Sequence, residues 1–563
     1  MPFIPLGIGW NVCHYEQFLA QADTLIYKAM NGHWFTNAII YGVNIPSFQD
    51  SNGDGFGDLA GVTNRLDYLA ELGVNCLWLL PFYASPRRDN GYDVSNYYAV
   101  DPRLGTIDDF RQLTTRAREL GIRLIVDLVV HHTSDRHPWF EAARSDRNSA
   151  FRDYYVWSDD RPDSHEPPAF PGAEDSVWHY EPMSRSYYHH AFYHFQPDLN
   201  FANTRVQDEV LRIMDFWLAM GVSGFRLDAA PLIIGRKGLP GTEIEPHQFW
   251  NRIRAWLNHR QPDAVMLAEA NIDMSEIQNY INSGHGIHML LNFWSNRAMV
   301  SALASHNSRT LTSILDALPV LPGASHYVNF LRNLDELNLE HLPDDEQAVV
   351  YREFGPDEGM QIYNRGLRRR LAPILGGDQA RIRLAYSLLF AMPGVPMLVY
   401  GDEIGMGENL TLEERDSVRT PMQWDTTSQA GFSIAGSSSI LHRLITTGAY
   451  GYERVNVTAQ RTDPDSLWHF LSTLISTRKR HDVIGTEAFT PLETGDPAIV
   501  GIRYRNAHTL IILHNLSDRA ATAQLPGHSN LHRFKEIMTD HHYDPPQPGK
   551  VTLGRYGFRW FYA

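Results

Sequence analysis

The sequence predicts an α/β fold: a (β/α)8 barrel with a subdomain inserted after its third strand and a C-terminal antiparallel β-sandwich. Three observations predict it. Short apolar runs alternate with amphipathic stretches from about residue 34 to about 480, the order that lays helices over a parallel sheet. Between 131 and 200 the periodicity gives way to a polar, aromatic and proline-rich stretch, and loops of that length are usually functional. After about residue 485 the chain turns to short β runs parted by turn residues, AIVGIRY, TLIILHNL and YGFRWFYA. The implied division is an N-terminal extension over 1–33, a barrel over 34–130 and 201–484, a subdomain over 131–200, and a β domain over 485–563.

The elements follow in order. Residues 37–41 (NAIIY) read as the first strand. Leu59, Val62, Leu66, Leu69 and Leu72 then step at helical spacing. Residues 76–82 (CLWLLPF) make a buried second strand. Thr106, with Asp109 three residues later, resembles a capping box. The helix it opens carries Phe110, Leu113, Ala117 and Leu120 on one face and stops at Gly121. Residues 122–130 (IRLIVDLVV) are the third strand. Helical periodicity resumes over 206–220, and the remaining strands fall at 224–228, 264–270, 287–293, 327–335 and 395–400.

Composition narrows the function. Hydrophobic residues are 43% and charged residues 20% of the 563, ordinary for a globular protein. The net charge of −16 argues against a nucleic-acid or anionic-membrane partner, whereas a neutral sugar is indifferent to it. Two cysteines, Cys13 and Cys76, make neither a disulfide framework nor a thiolate metal cluster. No apolar run reaches the ~18 residues of a membrane span. The N-terminus lacks the basic stretch of a secretory signal. The expectation is a soluble, cytoplasmic protein.

Acidic residues recur at the ends of the predicted strands: Asp127, Asp228, Glu269, Asp335 and Asp402. In a barrel that edge is where catalytic groups converge. A carboxylate closing an apolar strand costs several kcal/mol to bury without a partner, so a series of them points to chemistry. Breaking a glycosidic bond calls for two such groups on opposite faces of one carbon. Asp50, Asn52, Asp54 and Asp58 alternate on the Gly-rich turn DSNGDGFGD, like the start of an EF-hand loop without its downstream Glu.

Six segments carry a family resemblance. DLVVHH (127–132), QPDLN (196–200), GFRLDA (224–229), LAEAN (267–271), FLRNLDE (330–336) and RTPMQW (419–424) resemble the ordered motifs of the α-amylase superfamily of glycoside hydrolases and transglycosylases. LWLLPFYASPRRDNGYDV (77–94), HHTSDRHPWF (131–140), RDYYVWSDD (152–160), RRRLAPIL (368–375) and YGDEIGMGENL (400–410) resemble its trehalose synthase-like branch, which interconverts maltose and trehalose. The resemblance implies Asp228 as nucleophile forming a covalent β-glucosyl ester, Glu269 as acid/base and Asp335 as a third carboxylate on the sugar hydroxyls. It implies that Arg226 keeps Asp228 ionised, that His132 donates a hydrogen bond and Tyr92 stacks at the −1 subsite, and that Asp89 and Arg419 pair to close that subsite. It supports Ca2+ (or Mg2+) on Asp50, Asn52, Asp54, Asp58 and the Phe56 carbonyl, with no organic cofactor. A second calcium would use an Asn where this chain has His131, which argues against it.

One position departs from the pattern. The fourth segment normally has His before its Asp, and here Leu334 stands there. Leu cannot donate to the 2- and 3-hydroxyls of a −1 sugar, so the expectation is either a slower relative or a pocket recast for another sugar or acceptor. Leu334→His should then raise maltose turnover. The competing readings are an α-glucosidase or intermolecular transglucosylase, and a non-catalytic carbohydrate-binding protein. Partners are small α-glucosides, and the branch suggests a homo-oligomer.

Overall fold

The structure is a computed structural model. It describes residues 33–563 apart from 164–165, 171, 236, 238, 240, 242–244, 323–324, 437–439, 441–442, 482, 487 and 506. The expected N-terminal extension and Cys13 lie outside the described residues, apart from His33.

Eight parallel strands close into a barrel: β1 (Ile40–Val43), β2 (Cys76–Leu79), β3 (Arg123–Leu128), β4 (Gly224–Leu227), β5 (Val265–Ala268), β6 (Met289–Leu291), β7 (His326–Phe330) and β8 (Val395–Val399). Each pairs with its sequence neighbours and β8 pairs with β1. Most strands are buried along their whole length, as expected where helices cover one face and barrel packing fills the other. Every expected strand is present, most of them shorter than the apolar runs. The first begins at Ile40 because Trp34–Asn37 forms a 3-10 turn. The seventh ends at Phe330, so Asp335 lies on the loop beyond it.

The stretch expected as one helix from residue 59 is two, α1 (Leu59–Asn64) and α2 (Leu66–Leu72). The break falls at Arg65, with φ −106° and ψ 4°. Its guanidinium donates to Gln49 Oε1 at 2.7 Å and lies 4.0 Å from the Trp424 ring. That tertiary demand overrides an apolar spacing that would otherwise continue. By contrast α3 (Ile107–Glu119) opens on the full capping box of Thr106 and Asp109. Its chain leaves through Gly121 at φ 71°.

Residues after β3 leave the barrel sheet and build a helix and a small sheet of their own, with Phe140, Tyr155 and Tyr188 in the same apolar cluster as the barrel. Helix Pro138–Ser145 packs beside an antiparallel sheet of Trp157–Ser158, Ser186–His189 and Trp178–Glu181, with Phe140 stacked 5.6 Å from Trp157. Helix α4 (Thr204–Ala219) then returns the chain to the barrel.

At the C-terminus, Phe489–Pro491, Ile499–Arg505, Thr509–Asn515, Phe558–Tyr562 and Lys535–Thr539 make a five-stranded antiparallel sheet, and Ala521–Gln524 pairs with Lys550–Leu553. Along Thr509–Asn515 the alternation separates two faces. Leu510 and Ile512 join the main core, while Ile511 and Leu513 join a second cluster with Val551 and Leu553 of the two-stranded sheet. Among the described residues no helix is long and apolar enough to cross a membrane.

Candidate active site

The C-terminal ends of the barrel strands deliver the acidic residues to one place. Asp228 follows β4 directly, Glu269 follows β5 directly, and Asp127 is the penultimate residue of β3. Gly224 begins β4 against its neighbour so closely that a Cβ there would sit 2.5 Å from Val265 Cγ2. Glycine at that point therefore lets the strand carrying Arg226 and Asp228 lie against the strand carrying Glu269.

Arg226 ties the carboxylates together. Its Nη1 lies 2.9 Å from Asp127 Oδ1 and 2.5 Å from Asp228 Oδ1, and its Nη2 lies 2.7 Å from Glu269 Oε2. The guanidinium is 1% exposed, so these contacts act with little solvent screening. Burial lifts Asp228 above the ordinary carboxylate value, and Arg226 pulls it back. Burial and the neighbouring Asp228 and Asp335 push Glu269 up to about 7 against Arg226. The Ala229 amide also donates to Glu269 Oε2 at 3.2 Å. Ala229 holds φ 45° and ψ 44° to do so, a left-handed conformation that costs a non-glycine residue about 1–2 kcal/mol.

Asp335 experiences the opposite balance. Burial works to raise it, but Arg415 and Arg419 outweigh that and hold it below the usual range. Arg419 Nη2 donates to Asp335 Oδ1 at 2.8 Å, and Arg415 Nη1 lies 3.2 Å from the same oxygen. Thus one carboxyl is kept a proton carrier near neutrality and another is kept an anion.

Asp228, Glu269, Asp335, Asp89, Tyr92, His132 and Arg226 line a single cavity of 270 Å³. That is near the lower end of the ~300–1,000 Å³ of small-molecule sites, a scale for a small sugar rather than a long polymer.

Two expected substrate residues are placed differently. Leu334 is 2% exposed, packs in the apolar core and is not among the described residues lining the cavity. It sits at φ 72°, and its carbonyl accepts from Arg419 Nε at 3.1 Å. On that loop Asn333, Asp335 and Glu336 reach the cavity instead. Arg419 likewise lies behind the cavity wall, its guanidinium directed to Asp335 and the Leu334 carbonyl. Asp89 accepts from Gln196 Nε2 at 2.9 Å. The expected closing pair is therefore replaced by Arg419 holding Asp335 and Gln196 holding Asp89, because the guanidinium is already engaged.

His132 lines the cavity, but its ring nitrogens are both engaged. Nε2 lies 3.1 Å from the Tyr92 carbonyl and Nδ1 lies 3.2 Å from His131 Nδ1. A carbonyl only accepts, so His132 donates from Nε2 and accepts at Nδ1. His131 must then donate from Nδ1 and accept at Nε2, where the Lys237 ammonium lies. Burial pushes His132 down to about 4, so the neutral ring that this chain requires is the stable one. Lys237 is 3% exposed, donates to the Leu232 carbonyl at 2.6 Å and lies 3.5 Å from Asp198. His131, His132 and Asp198 bring ligand atoms within 4.8 Å of one another. Nothing in the sequence pattern singles out Lys237, whose side-chain partners His131 and Asp198 lie 106 and 39 residues away.

The 50–58 turn is wound on its own side chains. Asp50 Oδ1 accepts from the Asn52 and Gly53 amides at 3.1 and 2.7 Å, and Oδ2 accepts from the Gly55 amide at 2.9 Å and the Ser433 hydroxyl at 2.5 Å. Asn52 and Asp54 each accept the amide two residues on at 2.9 Å, the latter from Phe56. Asp58 caps α1 through the Gly61 amide and also accepts from Ser51. The donor set is all hard oxygen, which fits Ca2+ in kind, with Asn52, Asp54 and the Phe56 carbonyl having the most lone pairs to spare.

Fold and site together define a class: a (β/α)8 barrel whose strand ends gather Asp228 and a proton-bearing Glu269 around one sugar-sized cavity, the equipment of carboxylate-driven glycosidic chemistry. Comparison with known proteins agrees. The family model for the alpha amylase catalytic domain matches residues 43–319 and 361–487, and the chain belongs to the alpha-amylase family. It is similar to Mycobacterium tuberculosis trehalose synthase/amylase TreS, 38% identical over 542 residues that cover 94% of this chain and 90% of that protein. It is also similar to the trehalose synthase of Pimelobacter sp., 41% identical over 478 residues covering 83% of each. Among solved structures, trehalulose synthase MutB from Pseudomonas mesoacidophila superposes with a TM-score of 0.76 at 25% identity, over 94% of this chain and 99% of that one.

Proposed function

We propose that this chain is a retaining α-glucosyl transferase that isomerises maltose and trehalose through a β-glucosyl ester on Asp228. The observation that carries the proposal is the Arg226 guanidinium reaching Asp228 and Glu269 at once, while Glu269 sits at about 7. Two carboxyls held on the two terminal nitrogens of one guanidinium face one cavity together, as the nucleophile and the acid/base of a double displacement must. Trehalose synthase relatives covering most of the chain support the acceptor.

In this reading Glu269 gives its proton to the glycosidic oxygen as Asp228 attacks the anomeric carbon. The C–O bond to the leaving glucose breaks and the ester forms. The released glucose turns, and its anomeric hydroxyl attacks the anomeric carbon of the ester-bound glucosyl ring. Its proton returns to Glu269, and Asp228 leaves as the carboxylate. Asp335, held anionic by two arginines, binds hydroxyls of the glucosyl ring.

The 32% identical probable alpha-glucosidase of Rhizobium meliloti supports a second reading in which water takes the ester. Incubation with maltose followed by sugar chromatography separates the two. Trehalose is expected. Glucose alone would favour the hydrolase, and unchanged maltose would reject both.

We also infer that the 50–58 turn holds Ca2+ in a structural role, supported by its oxygen donors. Chelation by EGTA should lower the unfolding temperature and added Ca2+ should restore it. An unfolding curve indifferent to both would reject the ion.

A further inference from the structure

At the cavity that the carboxyls line, three segments distant in sequence meet. Phe170, from the inserted subdomain, is 3% exposed and lines the cavity together with Arg415. The Phe170 ring lies 5.1 Å from the Tyr363 ring at 30° and 5.0 Å from the Tyr193 ring at 39°. The Arg415 guanidinium lies 5.0 Å from the Phe170 ring and 5.7 Å from that of Tyr363.

Arg415 is itself immobilised from beneath. It lies 3.2 Å from Asp335 Oδ1 and 2.7 Å from Glu336 Oε2, and Arg365 braces Glu336 at 2.7 Å. A planar guanidinium held by two carboxylates packs beside the two rings, a set of contacts that lysine cannot copy. The subdomain thus sets an aromatic ring against a charged side chain on the barrel side of the mouth, beside its contacts through Gln196 and Asp198. An aromatic face beside a cavity suits the apolar face of a pyranose and excludes water at the same point.

We propose that Phe170, seated on Arg415 and Tyr363, is the specificity determinant that keeps the departed glucose over the ester and keeps water away from it. The inference rests on the glucosyl-ester reading. Both competing steps are balanced alike: the ester C–O bond to Asp228 breaks as a new C–O bond forms, and the acceptor proton passes to Glu269. They differ only in whether the acceptor is the retained glucose or water.

The test compares wild type, Phe170→Ala and Phe170→Tyr on maltose with isotopically labelled free glucose added. Products are read at equal maltose consumption. In Phe170→Ala the ratio of glucose to trehalose should rise roughly tenfold, and label should enter trehalose. Phe170→Tyr should restore the wild-type ratio and exclude label again. A general loss of structure would lower total turnover without moving the partition, so the two effects are distinguishable. A folded Phe170→Ala protein, with wild-type unfolding temperature, unchanged partition and no label incorporation, would overturn the inference. If the wild type itself makes no trehalose, the isomerase reading fails, and the same ratio is taken between transfer products and glucose. An unmoved ratio there overturns the cover as well, and a shifted one sustains it.

Discussion

Burial, Asp228 and Asp335 hold the Glu269 proton, and Arg226 and the Ala229 amide work to release it. The resulting value of about 7 sets a sign. Below it Glu269 is protonated and can donate, and above it the leaving oxygen has no acid. Turnover of maltose, followed as kcat/KM against pH, should therefore fall on the alkaline side with an apparent pKa near 7, and on the acid side as Asp228 takes up a proton. Glu269→Gln should cut maltose turnover by about 10²–10⁴-fold, the usual worth of general acid catalysis, and erase the alkaline limb. An unchanged limb would assign it to another group, Asp127 at about 8 being the nearest candidate. The two principal carboxylates were legible in sequence because each closes an apolar run. Leu334 was legible only as a departure from a motif. Register says which residue precedes Asp335 but not that a left-handed backbone turns this one into the core. Arg415 gave no signal, since its partners Asp335 and Glu336 lie about 80 residues away.

At the scale of elements, capping and close approach decide more than apolar pattern. Thr106→Ala removes half of the capping box on α3 and should cost about 1 kcal/mol, seen as a small drop in unfolding temperature with maltose turnover intact. Gly224→Ala should cost more, about 1–3 kcal/mol of overpacking, and should also lower turnover, because the displaced strand carries Arg226 away from Glu269. Equal effects from both substitutions would contradict the close packing of β4 on β5. The inserted subdomain is joined to the segment after β4 by Lys237, which meets His131 and the anionic Asp198. Lys237→Met leaves that buried carboxylate with less compensation and should cost about 3–5 kcal/mol, read by chemical denaturation. Strand existence was legible here from the order of the apolar runs. The break between α1 and α2 was not, because the need for Arg65 to meet Trp424 is written in a residue far along the chain.

For the molecule as a whole, the issue is whether the C-terminal sheets are an appendage or part of the barrel's stability. Their texture change was plain in the sequence, but a change of texture says nothing about how tightly two bodies share a core. The structure joins them through the barrel helix Gln379–Ala391. Trp560 donates to Ser387 Oγ at 2.9 Å, His514 shares that hydroxyl at 2.9 Å, and Tyr504 donates to the Ala391 carbonyl at 2.7 Å. One apolar cluster runs from β1 through that helix to Ile502, Leu510, Ile512 and Trp560. Removing a fully buried Trp should therefore destabilise both bodies at once. Trp560→Ala is expected to cost about 3–5 kcal/mol and to lower the loss of maltose turnover and the loss of ellipticity by the same temperature interval, in one transition. Had the sheets been an independent appendage, the substitution would instead split unfolding into two steps and leave the temperature at which turnover is lost where it was. Coincidence of the two curves is the consequence of a shared core, because no apolar boundary separates the residues that hold the carboxylates in place from those that close the chain.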